Sequence, residues 1–447
     1  MTNYVRAIGI SPSQYNKVKT HEDTIMSEIK DTVKKKKKKN GPWLKPHHGL
    51  VRNIAEIVLY PFIRLLYGAK VRKFTEQGDR QYLILMNHQT AFDQFFVGLA
   101  FRGPIYYIAS EDLFSKGILS SLIKFLVAPI PIKKQTTDLQ AVKNCIRVAR
   151  EGGTLCIAPE GNRTYHGRSV YIKPAVVPLA KKLGLPIAIF KIEGGYGVHP
   201  RWSDVVRGGG MECGVSRVIE PEEYMSLSND EMYDLLISEL YVDEARLTGS
   251  YPHKKNAEYL ERAIYTCPIC GFTKLESHGK IIRCCTCGLE VEHTDTKELV
   301  SQNENFNFHF VADWYDYQTE LVSRLSVDDY KEFPMFRDTV KVCEEIPYKK
   351  KVPLQKDAEL ELYTDKIILD GRTYPFSEIA GATVLGKNKL NIYHDGRIYQ
   401  FKGDKRFCAL KYVNIFTHYK NLTEKTPALV TANQKEEINN DREFLGL

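Results

Sequence analysis

An α/β fold with a largely parallel sheet is what the middle of this 447-residue chain predicts, and three observations carry that expectation. Short apolar runs of strand length, at 82–86, 104–109, 154–158 and 186–192, alternate with segments of helical periodicity. Helix stop and start residues fall between the runs: Asp138 before a helix to Glu151 with Gly152 as its cap, and the capping box Ser228-x-x-Glu231 before a helix to Leu240. Beyond about residue 350 the pattern changes to short alternating strands joined by Asp370-Gly371 and Asp395-Gly396 turns, which marks off an antiparallel β domain.

Residues 1–40 are polar and poor in core residues and predict a mobile basic arm, with a short helix over 21–33 and six consecutive lysines, Lys34 to Lys39. The α/β domain is expected over 41–250. It opens with Val51 to Tyr67, where Ile54, Ile57, Val58, Phe62, Leu65 and Leu66 recur at helical spacing while Arg52, Asn53, Glu56 and Arg64 interrupt them. Such a helix either packs on its own domain or lies in a membrane interface, with Trp43 and Tyr60 at headgroup level; the neighbouring lysines favour the second. Further helices are expected after Asp93, over 111–126 and from Pro174 to Leu183.

The first strand, Tyr82 to Met86, runs directly into Asn87-His88, and Asp93 follows five positions after the histidine, where a helix should begin. In a strand-to-helix turn that spacing lets the carboxylate fold back onto one ring nitrogen. It would fix the tautomer and stabilise the imidazolium, leaving the other nitrogen to take a proton as a general base. About seventy residues on, a second short apolar run ends in Glu160-Gly161-Asn162-Arg163-Thr164. Between them lies Ala128-Pro129-Ile130-Pro131-Ile132-Lys133-Lys134, and afterwards Leu185 to Phe190.

The order Asn-His-x-x-x-x-Asp, then Pro-Glu-Gly-x-Arg-Thr, with the two softer blocks in place, resembles the glycerolipid acyltransferase family over roughly residues 45–245. Departures are mild: Asn162 stands where threonine is commoner, Thr164 where serine is, and Lys133 where arginine is frequent. The resemblance implies an α/β acyltransferase sandwich that moves a fatty acyl group directly, without an acyl-enzyme. The donor would be acyl-CoA or acyl-carrier protein, and the acceptor the free hydroxyl of 1-acyl-sn-glycerol 3-phosphate, giving phosphatidic acid. His88 and Asp93 would be catalytic. Arg163, with Lys133 and less directly Lys173, would hold the acceptor phosphate, and Glu160 would position its hydroxyls or brace Arg163. Gly161 would let the backbone approach the acceptor beside Thr164, and the acyl tail would lie along 118–132. Glycerol 3-phosphate or another lysophospholipid are the alternative acceptors. From a different class, a non-catalytic membrane- or nucleic-acid-binding scaffold is the rival, but it leaves His88 through Thr164 unexplained.

Of ten cysteines, five lie between Cys267 and Cys287. Cys267-x-x-Cys270 and Cys284-x-x-Cys287, thirteen residues apart, predict a ribbon over 262–295 in which four thiolates hold one structural Zn²⁺. Cys285 is a spare thiol that could replace Cys284. A connector is expected over 296–350, then the β domain over 351–422 with a helix from Phe407, and a disordered tail over 423–447. Several antiparallel strands followed by one helix resemble a pleckstrin-homology-like domain, from which a function does not follow.

Composition sets outer bounds. Apolar residues make up 43% and charged residues 26%, with no run of eighteen apolar residues, which describes a globular chain without a spanning helix. The N-terminus lacks an apolar segment of signal length, so a cytoplasmic protein with reduced thiols, attached peripherally and monotopically to an anionic membrane surface, is expected. The net charge of +8 is concentrated in the lysine run. No face interleaves arginines with aromatics, so no nucleic-acid partner is expected.

Overall fold

In the computed structural model, residues 41–114, 118–132, 138–246, 249–346 and 351–423 are described. The arm 1–40 with its lysine run, Lys133, and the tail beyond Thr423 lie outside the described residues. Met1–Trp43 and Leu44–Leu447 are separate units; the described end of the first, Gly41–Trp43, carries no helix or strand.

Helix α1, Pro46–Tyr67, starts five residues before its expected beginning, with proline in its first turn and Gly68 as a left-handed cap at φ 59°. His48, Ile63 and Tyr67 are buried. Of the charges that interrupt its apolar pattern, Arg52 and Glu56 are half-buried while Arg64 is exposed: Arg52 donates to the carbonyls of Gly98 (3.2 Å) and Phe101, and Glu56 pairs with Arg52 and Lys73. Leu50, Ile54, Ile57, Val58 and Leu65 point out, Leu65 being 89% exposed. The helix expected over 111–126 divides into a 3₁₀ turn, Glu111–Phe114, and α3, Ile118–Val127. α3 lies against α1, with the His47 ring stacked on Phe125 at 4.4 Å, and it too exposes apolar side chains, Ile118, Leu122 and Phe125. Among the described residues no helix is long and apolar enough to cross a membrane.

The central sheet has seven strands: β1 Ala69–Val71, β2 Leu83–Met86, β3 Ile105–Ser110, β4 Ile130–Ile132, β5 Thr154–Ile157, β6 Ile187–Glu193 and β7 Met211–Ile219. Their order is β1-β7-β6-β2-β5-β3-β4, parallel throughout except for the antiparallel pair β6–β7. The four expected strands are present; β1, β4 and β7 extend the sheet beyond them. β2 lies at the centre with every residue buried, so its continuous Leu-Ile-Leu-Met run is what a doubly covered parallel strand needs. The covering helices are α2 Asp93–Ala100, α4 Leu139–Arg150, α5 Val176–Leu183 and α6 Asn229–Leu240. Asp138 caps α4 through the N–H groups of Gln140 and Ala141, and α4 closes at Glu151, one residue before the glycine assigned that role. The box before α6 forms as read, Ser228 Oγ accepting from Glu231 N (3.2 Å) and Glu231 Oε2 from Ser228 N (2.7 Å). Because β2 and β5 are adjacent and parallel, their carboxyl ends deliver His88 and Glu160 to the same edge.

The remainder comprises a small hairpin, β8 Thr266–Cys267 with β9 Gly271–Phe272, and a four-stranded antiparallel sheet, β10 Leu275–His278, β11 Ile281–Cys284, β12 Glu290–His293 and β13 Leu299–Val300. Helix α7, Val311–Ser323, follows. A seven-stranded antiparallel sheet of order β17-β16-β15-β14-β20-β19-β18 comes next, then α8, Ala409–Thr423. Its strands are β14 Phe336–Glu344, β15 Val352–Leu362, β16 Lys366–Leu369, β17 Arg372–Pro375, β18 Ile379–Leu385, β19 Lys389–His394 and β20 Arg397–Lys402. The connector expected to reach residue 350 therefore ends early, since β14 is the middle strand of this sheet, its Phe336, Val340 and Val342 turned into the core. These parts are not beads on a string. Tyr165 and Trp202 of the α/β region share one core with Cys267, Ile282, Val291, Trp314, Leu360 and Tyr412.

Candidate active site

The turn that leaves β2 is tied down on one side by Asn87. Its side-chain amide donates to the carbonyl of Ile192 and accepts from that residue's N–H, both at 2.8 Å, which copies a strand pairing at the end of β6. In the turn, His88 Nδ1 meets Asp93 Oδ2 at 2.7 Å. Asp93 is fully buried and its carboxylate is saturated: Oδ2 also accepts from Gln89 N (2.7 Å), and Oδ1 accepts from the N–H and hydroxyl of Thr90 (2.9 and 2.7 Å). Short charge-assisted bonds from four donors fix the carboxylate, and through it the imidazole plane. The His88 side chain keeps 24% of its exposure, so a substrate can reach the ring.

Glu160 reaches the same turn from β5. It is buried, and its oxygens accept from the backbone N–H groups of His88 (3.3 Å) and Val170 (3.4 Å). Burial pushes its carboxyl up to about 8, against the pull of those two N–H groups. The brace that Glu160 supplies is thus to the His88 backbone. Gly161 sits at φ +67°, where a side chain is strained, and faces open space: a Cβ there would meet nothing within 4 Å.

Arg163 follows, half-buried, with Nη1 enclosed and without a hydrogen-bond partner among the described residues. Burial and the neighbouring Arg201 pull its guanidinium down to about 10, while Asp93, Tyr165 and Tyr67 act the other way. It remains a cation at neutral pH. Thr164 is fully buried; its N–H reaches the His88 carbonyl (3.4 Å), and its hydroxyl accepts from His166 N and Gly167 N (3.3 and 3.0 Å), so it shapes the loop that carries Arg163. Lys173 stands beside Glu160 through its N–H on the Pro159 carbonyl (3.3 Å), and burial lowers its ammonium.

Three further groups gather here from distant positions. Tyr67, at the end of α1, bonds His199 Nδ1 through its hydroxyl (2.9 Å). Arg201 donates to the Arg163 carbonyl (3.0 Å) and stacks over Tyr165. The segment His199-Pro200-Arg201-Trp202-Ser203-Asp204, dense in polar and aromatic residues without periodicity, could have singled out His199 and Arg201, while nothing local marks Tyr67.

The cysteines of the two C-x-x-C pairs form a cluster of their own. The Sγ atoms of Cys267, Cys270, Cys284 and Cys287 all lie within 4.8 Å of one another, Cys267 to Cys287 at 3.7 Å. Tetrahedral zinc with bonds of about 2.3 Å would set its sulfurs about 3.8 Å apart, so the spacing fits such an ion. The N–H of Ile269 donates to Cys267 Sγ (3.4 Å). Burial pushes the Cys284 thiol up, but the N–H groups of Cys287 and Thr286 outweigh it and hold it down to about 7. Cys284 rather than Cys285 joins the cluster; Cys285 is exposed outside it.

Comparison with known proteins bears on the first of these sites. Two chloroplastic 1-acyl-sn-glycerol-3-phosphate acyltransferases are similar to this chain: that of Brassica napus is 22% identical over 161 residues, and that of Arabidopsis thaliana 22% over 159. Each alignment covers 35% of this chain, which spans only 45% and 44% of the length of those relatives. The crystal structure of the 1-acyl-sn-glycerophosphate (LPA) acyltransferase of Thermotoga maritima matches 43% of this chain and 78% of its own, with 21% identity and a TM-score of 0.37. Residues 68–192, which hold His88, Asp93, Glu160 and Arg163, match the family model described as Acyltransferase.

Proposed function

We propose that the chain is an O-acyltransferase that moves a fatty acyl group from acyl-CoA or acyl-carrier protein to the free hydroxyl of 1-acyl-sn-glycerol 3-phosphate, giving phosphatidic acid. The observation that carries this reading is the buried Asp93 carboxylate, held by four donors of which one is His88 Nδ1, inside the acyltransferase-family segment. With Nδ1 committed to Asp93, Nε2 takes the proton of the acceptor hydroxyl as its oxygen attacks the thioester carbonyl. The tetrahedral intermediate then expels the thiolate, and the His88 imidazolium returns the proton to sulfur. Glu160 keeps the His88 backbone in place, and Arg163 binds the acceptor phosphate through its guanidinium fork. The test is transfer of labelled acyl groups from both carriers to a panel of acceptors, with products identified by mass. Phosphatidate is expected from lysophosphatidate; transfer to none of the phosphorylated acceptors overturns the reading.

The outward apolar face shared by α1 and α3 supports attachment to one leaflet of a membrane, with Ile57, Leu65, Ile118 and Phe125 in the acyl region. The six lysines, Lys34 to Lys39, add attraction to anionic lipid of about 1 kcal/mol each near the surface. Replacing all six by glutamine is expected to weaken co-flotation with anionic vesicles and flatten its salt dependence, whereas Ile57→Glu with Leu65→Glu should weaken binding to neutral vesicles too. Equal binding of the unaltered chain to neutral and anionic vesicles contradicts the electrostatic part.

One structural zinc in the four-cysteine cluster completes the proposal. Four thiolates leave no open position for a catalytic water, so the ion's part is to hold the ribbon. Because Cys267 and Cys284 sit in the core shared with α7 and the C-terminal sheet, chelation is expected to lower the unfolding temperature of that whole core by at least about 5 °C. Elemental analysis of the reduced protein should find one zinc per chain. No zinc, or chelation without thermal effect, refutes the assignment.

A further inference from the structure

We propose that Lys387, on the β18–β19 hairpin of the C-terminal sheet, is a second cation of the acceptor-phosphate site, so that the acyltransferase domain borrows part of its headgroup pocket from a sheet far along the chain from Arg163. This rests on the acyl-transfer reading for the identity of the acceptor, and on geometry for the rest.

The hairpin is fastened to the Arg163 loop by Arg201. That guanidinium donates Nη1 to the carbonyl of Arg163 (3.0 Å), Nη2 to that of Val384 (3.1 Å) and Nε to that of Gly386 (3.2 Å), so one side chain spans both segments. Between them lies a small, partly open cavity of about 30 Å³ lined by Arg163, Tyr165, Arg201, Thr383 and Val384, and Lys387 stands outside its lining. Lys387 comes next after Gly386, its side chain 25% exposed and so open to a ligand. Its Nζ lies 3.2 Å from Asp204 Oδ1 and 3.5 Å from His199 Nε2. The other nitrogen of that imidazole contacts Tyr67, next to Arg163.

The charges here do not balance. Asp204 is shared between Lys387 and Arg262, which reaches it with both terminal nitrogens (2.8 and 3.3 Å). Arg163 and Arg201 add two more cations, and the carboxylate that faces Arg163, Asp93, is already committed to His88, Gln89 and Thr90. His199 contributes no charge, since burial, aided by Lys387 and Arg163, pulls its imidazole down to about 3. Burial lowers the Lys387 ammonium as well, with Arg163 and Arg262 acting the same way against Asp204. A site with surplus positive charge, an enclosed Arg163 Nη1 lacking an acceptor among the described residues, and a lysine with three donors and one shared carboxylate favours an added anion. A phosphate monoester between Arg163 and Lys387 supplies it, the fork on one side and a point charge on the other.

The test uses the full chain with Lys387→Met and Lys387→Arg. Calorimetric titration with glycerol 3-phosphate and with inorganic phosphate is set beside steady-state transfer to lysophosphatidate and to monoacylglycerol. Lys387→Met is expected to weaken binding of both phosphates about 10-fold and to raise KM for lysophosphatidate by a similar factor, with kcat within about two-fold and monoacylglycerol unaffected. Lys387→Arg should restore most of the loss. Unchanged phosphate binding in Lys387→Met, no phosphate binding by the unaltered chain, or equal loss on both acceptors with a lowered melting temperature overturns the inference and makes Lys387 a clamp between sheets. Lys387-dependent phosphate binding without transfer to any acceptor would keep the inference and defeat the acyl-transfer reading instead.

Discussion

His88→Ala is expected to lower acyl transfer by at least about 10²-fold while leaving the protein folded, the range that removal of a general base brings. The fold should survive because the turn does not depend on the ring: Asp93 keeps its bonds from Gln89 N and from both donors of Thr90, and the His88 N–H still reaches Glu160. Asp93→Asn is less severe for proton transfer but worse for stability. An amide accepts at one oxygen only, so its NH₂ must face an N–H of Gln89 or Thr90, in a buried place where nothing relieves the clash. The two variants are separated by measuring kcat at saturating donor alongside the thermal transition. Near-normal turnover by a well-folded His88→Ala protein sinks the proposed mechanism.

What could be read from the chain beforehand follows the distance over which each interaction is encoded. His88 and Asp93 are five residues apart and need one turn to meet, so their pairing was visible once a strand was seen to end at Met86. The fully buried β2 and β6 announce themselves as unbroken apolar runs. By contrast β14 alternates exposed Arg337, Thr339 and Lys341 with inward positions but puts Asp338 on the inward register, and β7 carries Glu212, Ser216 and Arg217, so neither strand reads as an apolar run. In α1 the periodicity was plain, but which face turned inward was not. Arg52 and Glu56 read as interruptions of an apolar stripe, yet they are half-buried anchors, because carbonyls at the end of α2 and Lys73 are there to receive them. The Tyr67–His199 and Arg201–Val384 contacts join residues 132 and 183 positions apart, which no local pattern encodes. Pairwise spacing left Cys284 and Cys285 open as ligands; the β11 strand decides for Cys284, since it turns that sulfur into the cluster and leaves its neighbour outside.

Arg163→Ala should discriminate between acceptors. A charge-assisted hydrogen bond to phosphate contributes about 1.5–3 kcal/mol, so kcat/KM for lysophosphatidate is expected to fall roughly 10- to 150-fold. Efficiency with monoacylglycerol, which has no phosphate to lose, should hardly change. The structure makes this a clean substitution. The contact that fastens the Arg163 loop to Arg201 runs through the main-chain carbonyl, which alanine retains, and Nη1 gives up no hydrogen bond to the described residues. Removing a half-buried cation beside Arg201 also relieves like-charge repulsion, so the melting temperature should hold or rise slightly. Arg163→Lys should recover part of the loss, as a point charge without the planar fork. Kinetics with the two acceptors on the three proteins decide the matter. If Arg163→Ala slows both by the same factor, the guanidinium is positioning the His88 turn rather than binding phosphate, and the case for a phosphorylated acceptor then rests on Lys387 alone.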